Sequence, residues 1–151
     1  MFVCHGNICR SPMAEAVLFD MLASRGLTEE FTVASSATST EEIIGGVGNP
    51  IYPPARRELI RNGITPPNRR AVQLKREDYD RYDLFLVMDT RNLSAAERIF
   101  GGDPEGKLMR LLSLADGGDV ADPWYTGRFD EAFRDIHRGC EALLRKIYGK
   151  G

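Results

Sequence analysis

Val3-Cys4-His5-Gly6-Asn7-Ile8-Cys9-Arg10-Ser11-Pro12 runs from the end of a short apolar segment, Met1-Phe2-Val3, through a Gly-Asn pair and into a Ser-Pro pair followed by helix formers. The order is strand, glycine loop, helix start. Gly6 permits a positive φ that would turn successive amide N–H groups inward, and Ser11 with Pro12 makes a good N-cap and first-turn pair. Inward amides at a helix N-terminus form a site for a dianion, and the same field favours the thiolate of a cysteine held over it. Cys4 is thereby poised as a nucleophile. Arg10 can fold back across the loop and grip two oxygens of a phosphoryl group with its planar fork, which a lysine cannot do. Cys4, His5, Gly6, Asn7, Ile8, Cys9 and Arg10 together read as a phosphate-binding loop after the first strand. Cys140 and Arg145 also lie close in sequence, but Glu141-Ala142-Leu143-Leu144 between them lacks glycine and has helical spacing, so that stretch reads as helix alone.

The rest of the chain supplies the frame. From Ser11 to about Ser24, Ala14, Val17, Leu18, Met21 and Leu22 make a helical stripe closed by Gly26. Phe31 to Ser35 reads as a second strand, and Ser36 to Asn49 as a loop rich in small residues and glycine. A helix follows from about Ala55 to Asn62, ended by Gly63. Leu84 to Met88 is a continuous apolar run, as in a strand buried on both faces, and it delivers Asp89 at its C-terminal end. Leu93 to Phe100 reads as a short helix. Lys107 to Leu114 fits strand or helix, with its middle taken as the fourth strand between Gly106 and the Ala115-Asp116-Gly117-Gly118 turn. Phe129, Phe133, Ile136, Cys140, Leu143, Leu144 and Ile147 mark one face of a long final helix.

Strands alternating with helices imply an α/β three-layer sandwich: a central four-stranded parallel, twisted sheet with helices on both faces and ligands at the C-terminal ends of strands. At 151 residues the chain is expected to form one domain, 1–151. The net charge of −2 provides no basic field for nucleic acid or an anionic membrane, and no apolar run reaches transmembrane length. Met1-Phe2-Val3 leaves no room for a signal peptide before the loop. The odd count of three cysteines argues against a disulfide framework, so a cytoplasmic setting is expected.

Phosphoryl transfer through a cysteine also requires an acid for the leaving group. Two Asp-Pro pairs compete for that role. Asp103-Pro104 lies in an ordinary polar turn, Gly-Gly-Asp-Pro-Glu-Gly, whereas Asp122-Pro123 precedes Trp124 and Tyr125, which could wall a pocket for a phenol ring and desolvate the carboxyl group. Asp122 is the better candidate, although on the residues alone a turn beside core aromatics fits equally well. His5, Cys4 and Cys9 have no metal-site spacing, since the one further histidine, His137, falls on the final helix as a surface or packing residue.

Val3 to Val17, VCHGNICRSPMAEAV, closely resembles the signature of the low-molecular-weight protein tyrosine phosphatases, and Asp122-Pro123-Trp124-Tyr125 resembles their late acid loop. Ser36-Ala37, Val47-Gly48-Asn49-Pro50, Gln73-Leu74, Glu77-Asp78, Val87-Met88-Asp89 and Asn92-Leu93 extend the likeness over nearly the whole chain. The resemblance implies hydrolysis of phosphotyrosine and small aryl phosphates: Cys4 attacks phosphorus while Asp122 protonates the leaving oxygen, then Asp122 as base helps water release inorganic phosphate. Arg10 serves both transition states. No cofactor or metal is implied, because loop amides and Arg10 supply the charge stabilisation. Asn7, Ser11 and Ser36 correspond to residues that brace the loop, with the Ser11 hydroxyl on the Cys4 sulfur, and Ile8, Trp124 and Tyr125 to pocket walls.

Cys9 is either a redox partner for Cys4 or a buried spectator thiol. The implied partner is a phosphotyrosine-containing protein, with the chain a monomer or weak homodimer. Several departures bear on specificity. His5 stands where an apolar or small residue is usual, and Arg69 where some relatives carry a bracing histidine. The Ser36 to Pro50 loop is longer and offers Glu41, Glu42, Ile43, Ile44, Gly45 and Gly46 in place of a wall aromatic. Ile8 favours phosphotyrosine over phosphoarginine, since arginine-phosphate enzymes of the family tend to have threonine there. An arsenate reductase on the same fold would need a cysteine relay for which only Cys140 remains. A phosphopeptide-binding module without catalysis would have no use for Cys4, Arg10 and Asp122 together.

Overall fold

In a computed structural model that describes residues 1–149, four parallel strands carry the molecule: β1 (Phe2–Cys4), β2 (Ser35–Ala37), β5 (Phe85–Val87) and β6 (Leu108–Arg110), in the order β2-β1-β5-β6. Lys150 and Gly151, the end of the expected 1–151 domain, lie outside the described residues. Each strand is three residues long, and period-two alternation divides its side chains between two cores. Phe2, Cys4 and Leu86 face one core, while Val3, Phe85 and Val87 face the other. Burial on both faces explains why β1 and β5 read as unbroken apolar runs.

The first core is closed by α1 (Arg10–Ser24), α2 (Pro53–Arg61) and α6 (Phe129–Tyr148), which pack on one another and on the sheet. Gly139 of α6 sits against a 3₁₀ turn at Leu111–Leu114 so closely that a Cβ there would stand 2.4 Å from Leu111 Cγ; glycine is required by the approach of the two elements. On the opposite face, α3 (Asp78–Arg81) and α4 (Thr90–Phe100) bring Tyr79, Ala96 and Phe100 onto Phe85. The result is the three-layer α/β sandwich expected. No helix among the described residues is long and apolar enough to cross a membrane.

Three elements differ from expectation. Strand pairing begins at Ser35 rather than Phe31, because β1 starts at Phe2 and its partners run Phe2↔Ser35 to Cys4↔Ala37; Phe31 and Val33 pack on the core from irregular chain that has no strand beside it. The glycine-rich loop contains a small antiparallel hairpin, β3 (Ile43–Ile44) and β4 (Val47–Gly48), turned by Gly45 and Gly46 at φ 59° and 79°. Ile43-Ile44 before Gly-Gly and Val47 after it carry that signal in the sequence. Ile147, read as part of the buried stripe of α6, is half exposed where the helix runs beyond the core. The fifth helix, α5 (Pro123–Thr126), is a single turn.

Candidate active site

The C-terminal end of β1 delivers Cys4 to a loop that ends in α1. Its Sγ accepts the backbone N–H groups of Asn7 (3.3 Å) and Ser11 (3.4 Å) and lies 3.0 Å from Ser11 Oγ. Donors converging on one buried sulfur are the arrangement that stabilises negative charge there. Among the described residues the amides of Gly6, Ile8 and Cys9 have no protein acceptor, which leaves the loop a cradle of donors at a helix N-terminus.

Two local expectations are corrected. The residue with positive φ is Asn7, at 58°, and not Gly6; asparagine tolerates that region because its short amide can bond locally. At Gly6 the chain instead comes close to Glu42: a Cβ there would stand 3.1 Å from Glu42 Cγ, and that side chain would have to shift by a few tenths of an ångström. Ser11 does not cap α1 either. The helix begins at Arg10 with Cys9 at the N-cap, and the Ser11 hydroxyl is turned back to Cys4 and to Asn7 Nδ2 (2.8 Å). Pro12 still falls within the first turn, where its missing N–H leaves no bond unmade.

Arg10 is 3 % exposed and fixed by long-range contacts. Its Nη1 donates to Asp89 Oδ2 (2.7 Å) and to the Val120 carbonyl (2.8 Å), and its Nη2 lies 3.4 Å from Asp122 Oδ2. Burial works against its charge, but the Cys4 sulfur, the hydrogen bond to Asp89 and the charge of Asp122 outweigh it and raise Arg10 above the ordinary arginine value. Asp89 also caps α4 by accepting from Asn92 N at 2.8 Å. Its partnership with Arg10 is the contact that sequence reasoning missed. The available signal was an aspartate at the C-terminal end of a parallel strand beside β1.

The brace behind the loop is centred on Asn7, which is buried. Its Nδ2 donates to Ser11 Oγ and to Ser35 Oγ (2.9 Å), and its Oδ1 accepts from Arg69 Nη2 (2.5 Å) and Val72 N (3.0 Å). Arg69 further donates to Ser35 Oγ and pairs with Glu15 at 2.6 Å. Ser36, expected as a brace, points the other way, its hydroxyl against Met1 Sδ at 3.1 Å; Ser35 takes the place, because neighbouring residues of a strand face opposite sides.

A cavity of about 310 Å³ opens over Cys4 and Arg10. Ile8, Trp124 and Tyr125 line it, and so does Tyr52, the N-cap residue of α2, whose ring lies 5.1 Å from that of Trp124 and whose N–H is bonded to the Ile8 carbonyl. Tyr52 is therefore the wall aromatic that the longer loop lacks. Asp122 reaches the cavity as N-cap of α5, accepting from Trp124 N at 3.0 Å. The aromatic cover expected over its carboxylate is absent. Trp124 and Tyr125 are 62 % and 82 % exposed, since one turn of helix presents both outward.

The family sequence profile described as low molecular weight phosphotyrosine protein phosphatase matches residues 1–150. This chain belongs to that family. It is 38 % identical to the low molecular weight protein-tyrosine-phosphatase YfkJ of Bacillus subtilis over 97 % of this chain and 94 % of that one, and 34 % identical to the human low molecular weight phosphotyrosine protein phosphatase over 98 % and 94 %. The crystal structure of YfkJ superposes with a TM-score of 0.86 at 37 % identity, covering 97 % of this chain and 91 % of that one. Vibrio vulnificus Wzb in complex with benzylphosphonate gives a TM-score of 0.82 at 30 % identity, covering 96 % and 95 %. The chain is a protein-tyrosine phosphatase of low molecular weight, and its substrates are phosphoproteins.

The remaining thiols and histidines of this phosphatase take minor places. Cys9 lines the cavity as a free thiol; burial, with the charges of Cys4 and Asp122 adding and Arg10 opposing, pushes it far above the ordinary thiol value. Cys140 is fully buried in α6 and has no exposure from which to relay a disulfide. His5 projects to the cavity mouth and pairs with Glu41 at 3.0 Å, while His137 lies on α6 beside Glu141 and Phe133. Among the described residues no group of three or more His, Cys, Asp or Glu side chains could hold a metal ion.

Proposed function

We propose that this phosphatase hydrolyses phosphotyrosine on proteins by a two-step transfer through Cys4, and that the cavity over Cys4 and Arg10 is where it does so. The observation that carries the reading is the convergence on one sulfur of two backbone amides and a hydroxyl, beside a buried guanidinium held by Asp89. The phosphoryl dianion lies in the amide cradle with Arg10 across two of its oxygens, and Cys4 Sγ attacks phosphorus opposite the phenolic oxygen. Asp122, at the cavity edge, gives its proton to that oxygen as the P–O bond breaks. The same carboxylate then takes a proton from water as the water oxygen bonds to phosphorus and the S–P bond breaks, which frees the Cys4 thiolate and inorganic phosphate.

Aromatic walls at Tyr52 and Trp124 suit a phenyl ring, in keeping with the benzylphosphonate held by Wzb. A nucleophilic cysteine with two further free thiols suits a reducing compartment, and we place the enzyme in the cytoplasm. The test is turnover of 4-nitrophenyl phosphate and a phosphotyrosyl peptide, with mass spectrometry of the quenched enzyme. Wild type is expected to carry a phosphoryl adduct on Cys4. Cys4→Ser should lose turnover, and Asp122→Ala should lower kcat by about 10²–10⁴. Wild-type rates in Cys4→Ser would overturn the assignment.

A further inference from the structure

The cavity is basic at its floor and acidic at its mouth. Among the described residues Arg10 is the one Lys or Arg side chain that lines it, and it is buried beneath the opening. Around the rim stand Glu41 and Glu42, from the chain just before β3, with Tyr52, Trp124 and Tyr125. The two glutamates are held differently. Glu41 lies 3.0 Å from His5 Nε2, both side chains being exposed, so its charge is offset only when the imidazole is protonated, and then weakly because solvent screens the pair. Glu42 has a neutral partner: its Oε1 accepts from Asn49 Nδ2 at 3.2 Å and its carbonyl from Asn49 N at 2.8 Å, while its stem lies over Gly6. That amide orients the carboxylate without neutralising it.

A dianion entering the cavity gains nothing from these carboxylates, but the residues beside it on a protein substrate do. An oriented carboxylate lining the same cavity as the exposed rings of Trp124 and Tyr125, at a mouth to which the described residues contribute no Lys or Arg, is a setting that receives an ammonium or guanidinium group. We propose that Glu41, Glu42 and Trp124 form a subsite for a basic side chain flanking the phosphotyrosine, so that the enzyme selects phosphotyrosines next to Lys or Arg over those next to Asp or Glu. This rests on the reading of the Cys4 cavity as the phosphotyrosine site. Each exposed charge contact alters binding by about 1.4- to 5-fold. Attraction to a basic neighbour and repulsion of an acidic one together give roughly tenfold in kcat/KM.

The experiment compares kcat/KM for three phosphotyrosyl peptides of equal length, with flanking Lys, Ala or Glu, alongside 4-nitrophenyl phosphate. Wild type is expected to rank them Lys over Ala over Glu, with the Lys-to-Glu ratio falling in 0.5 M NaCl and collapsing in the Glu41→Gln, Glu42→Gln double variant. Turnover of 4-nitrophenyl phosphate with equal rates for all three peptides would overturn the subsite alone. A wild-type preference that survives unchanged in the double variant would also overturn it. No turnover of any substrate would overturn the phosphotyrosine reading and the subsite with it.

Discussion

Asn7→Ala isolates the contribution of the loop brace. Asn7 is 1 % exposed, has φ 58°, and makes four hydrogen bonds to Ser11, Ser35, Arg69 and Val72. Alanine removes all four. Three bonds to neutral groups are worth about 1 kcal/mol each, and the one to the guanidinium of Arg69 about 1.5 kcal/mol at the low end of the charged range. Ser11 and Ser35 keep other partners, Cys4 and Glu15, so the sum is reduced to about 3–4 kcal/mol. Holding alanine in the left-handed region adds about 1 kcal/mol. The expected loss is about 4–5 kcal/mol, a large part of the ~5–15 kcal/mol that folds a domain, and a fall in melting temperature of roughly 8–20 °C. Asn7→Gly should recover about 1 kcal/mol of it, because glycine relieves the backbone but restores no bond. Urea and thermal unfolding of the three proteins measure both differences, and aryl phosphate turnover reports whether Cys4 keeps its donors. An Asn7→Ala protein that melts within about 2 °C of wild type and turns over normally would refute the brace. Equal stabilities of the alanine and glycine variants would refute the backbone part.

Other consequences follow from contacts at a distance from the loop. Asp89→Ala should cost about 2–3 kcal/mol in urea unfolding, by removing both the ion pair to Arg10 and the cap of α4, whereas Asp89→Asn, which can still cap, should cost about half as much and still lower kcat because Arg10 loses a charged anchor.

The likeness in sequence carried the architecture because its signals are local. Leu84 to Met88 reads as a buried strand from its own run of apolar residues, and α6 from its own periodicity, since burial on both faces and burial on one stripe leave different spacings. Phe31 to Ser35 was misplaced for the opposite reason. Alternation is present there, but a strand exists only where a neighbour can bond it, and β1 pairs from Ser35 onward. The hairpin at Ile43 to Gly48 had a local signal in its Gly-Gly turn, hidden by the glycine content of the loop around it.

For the site, the sequence by itself determined what one loop can hold: Cys4, the amides that follow it, and Arg10 are joined by six peptide bonds and a helix start, so their chemistry follows from their order. Asp122 was separable from Asp103 only by its neighbours and the family resemblance. Tertiary structure decided the rest. It alone set Asp89 on Arg10 across 79 residues, Arg69 on Asn7 across 62, and Ser35 rather than Ser36 behind the loop. It also placed Glu42 and Tyr52 on the rim. The physical reason is the same in each case. A strand one residue out of register turns its side chain to the other face, and a contact between distant segments depends on how two cores pack against one sheet, which no spacing along the chain records.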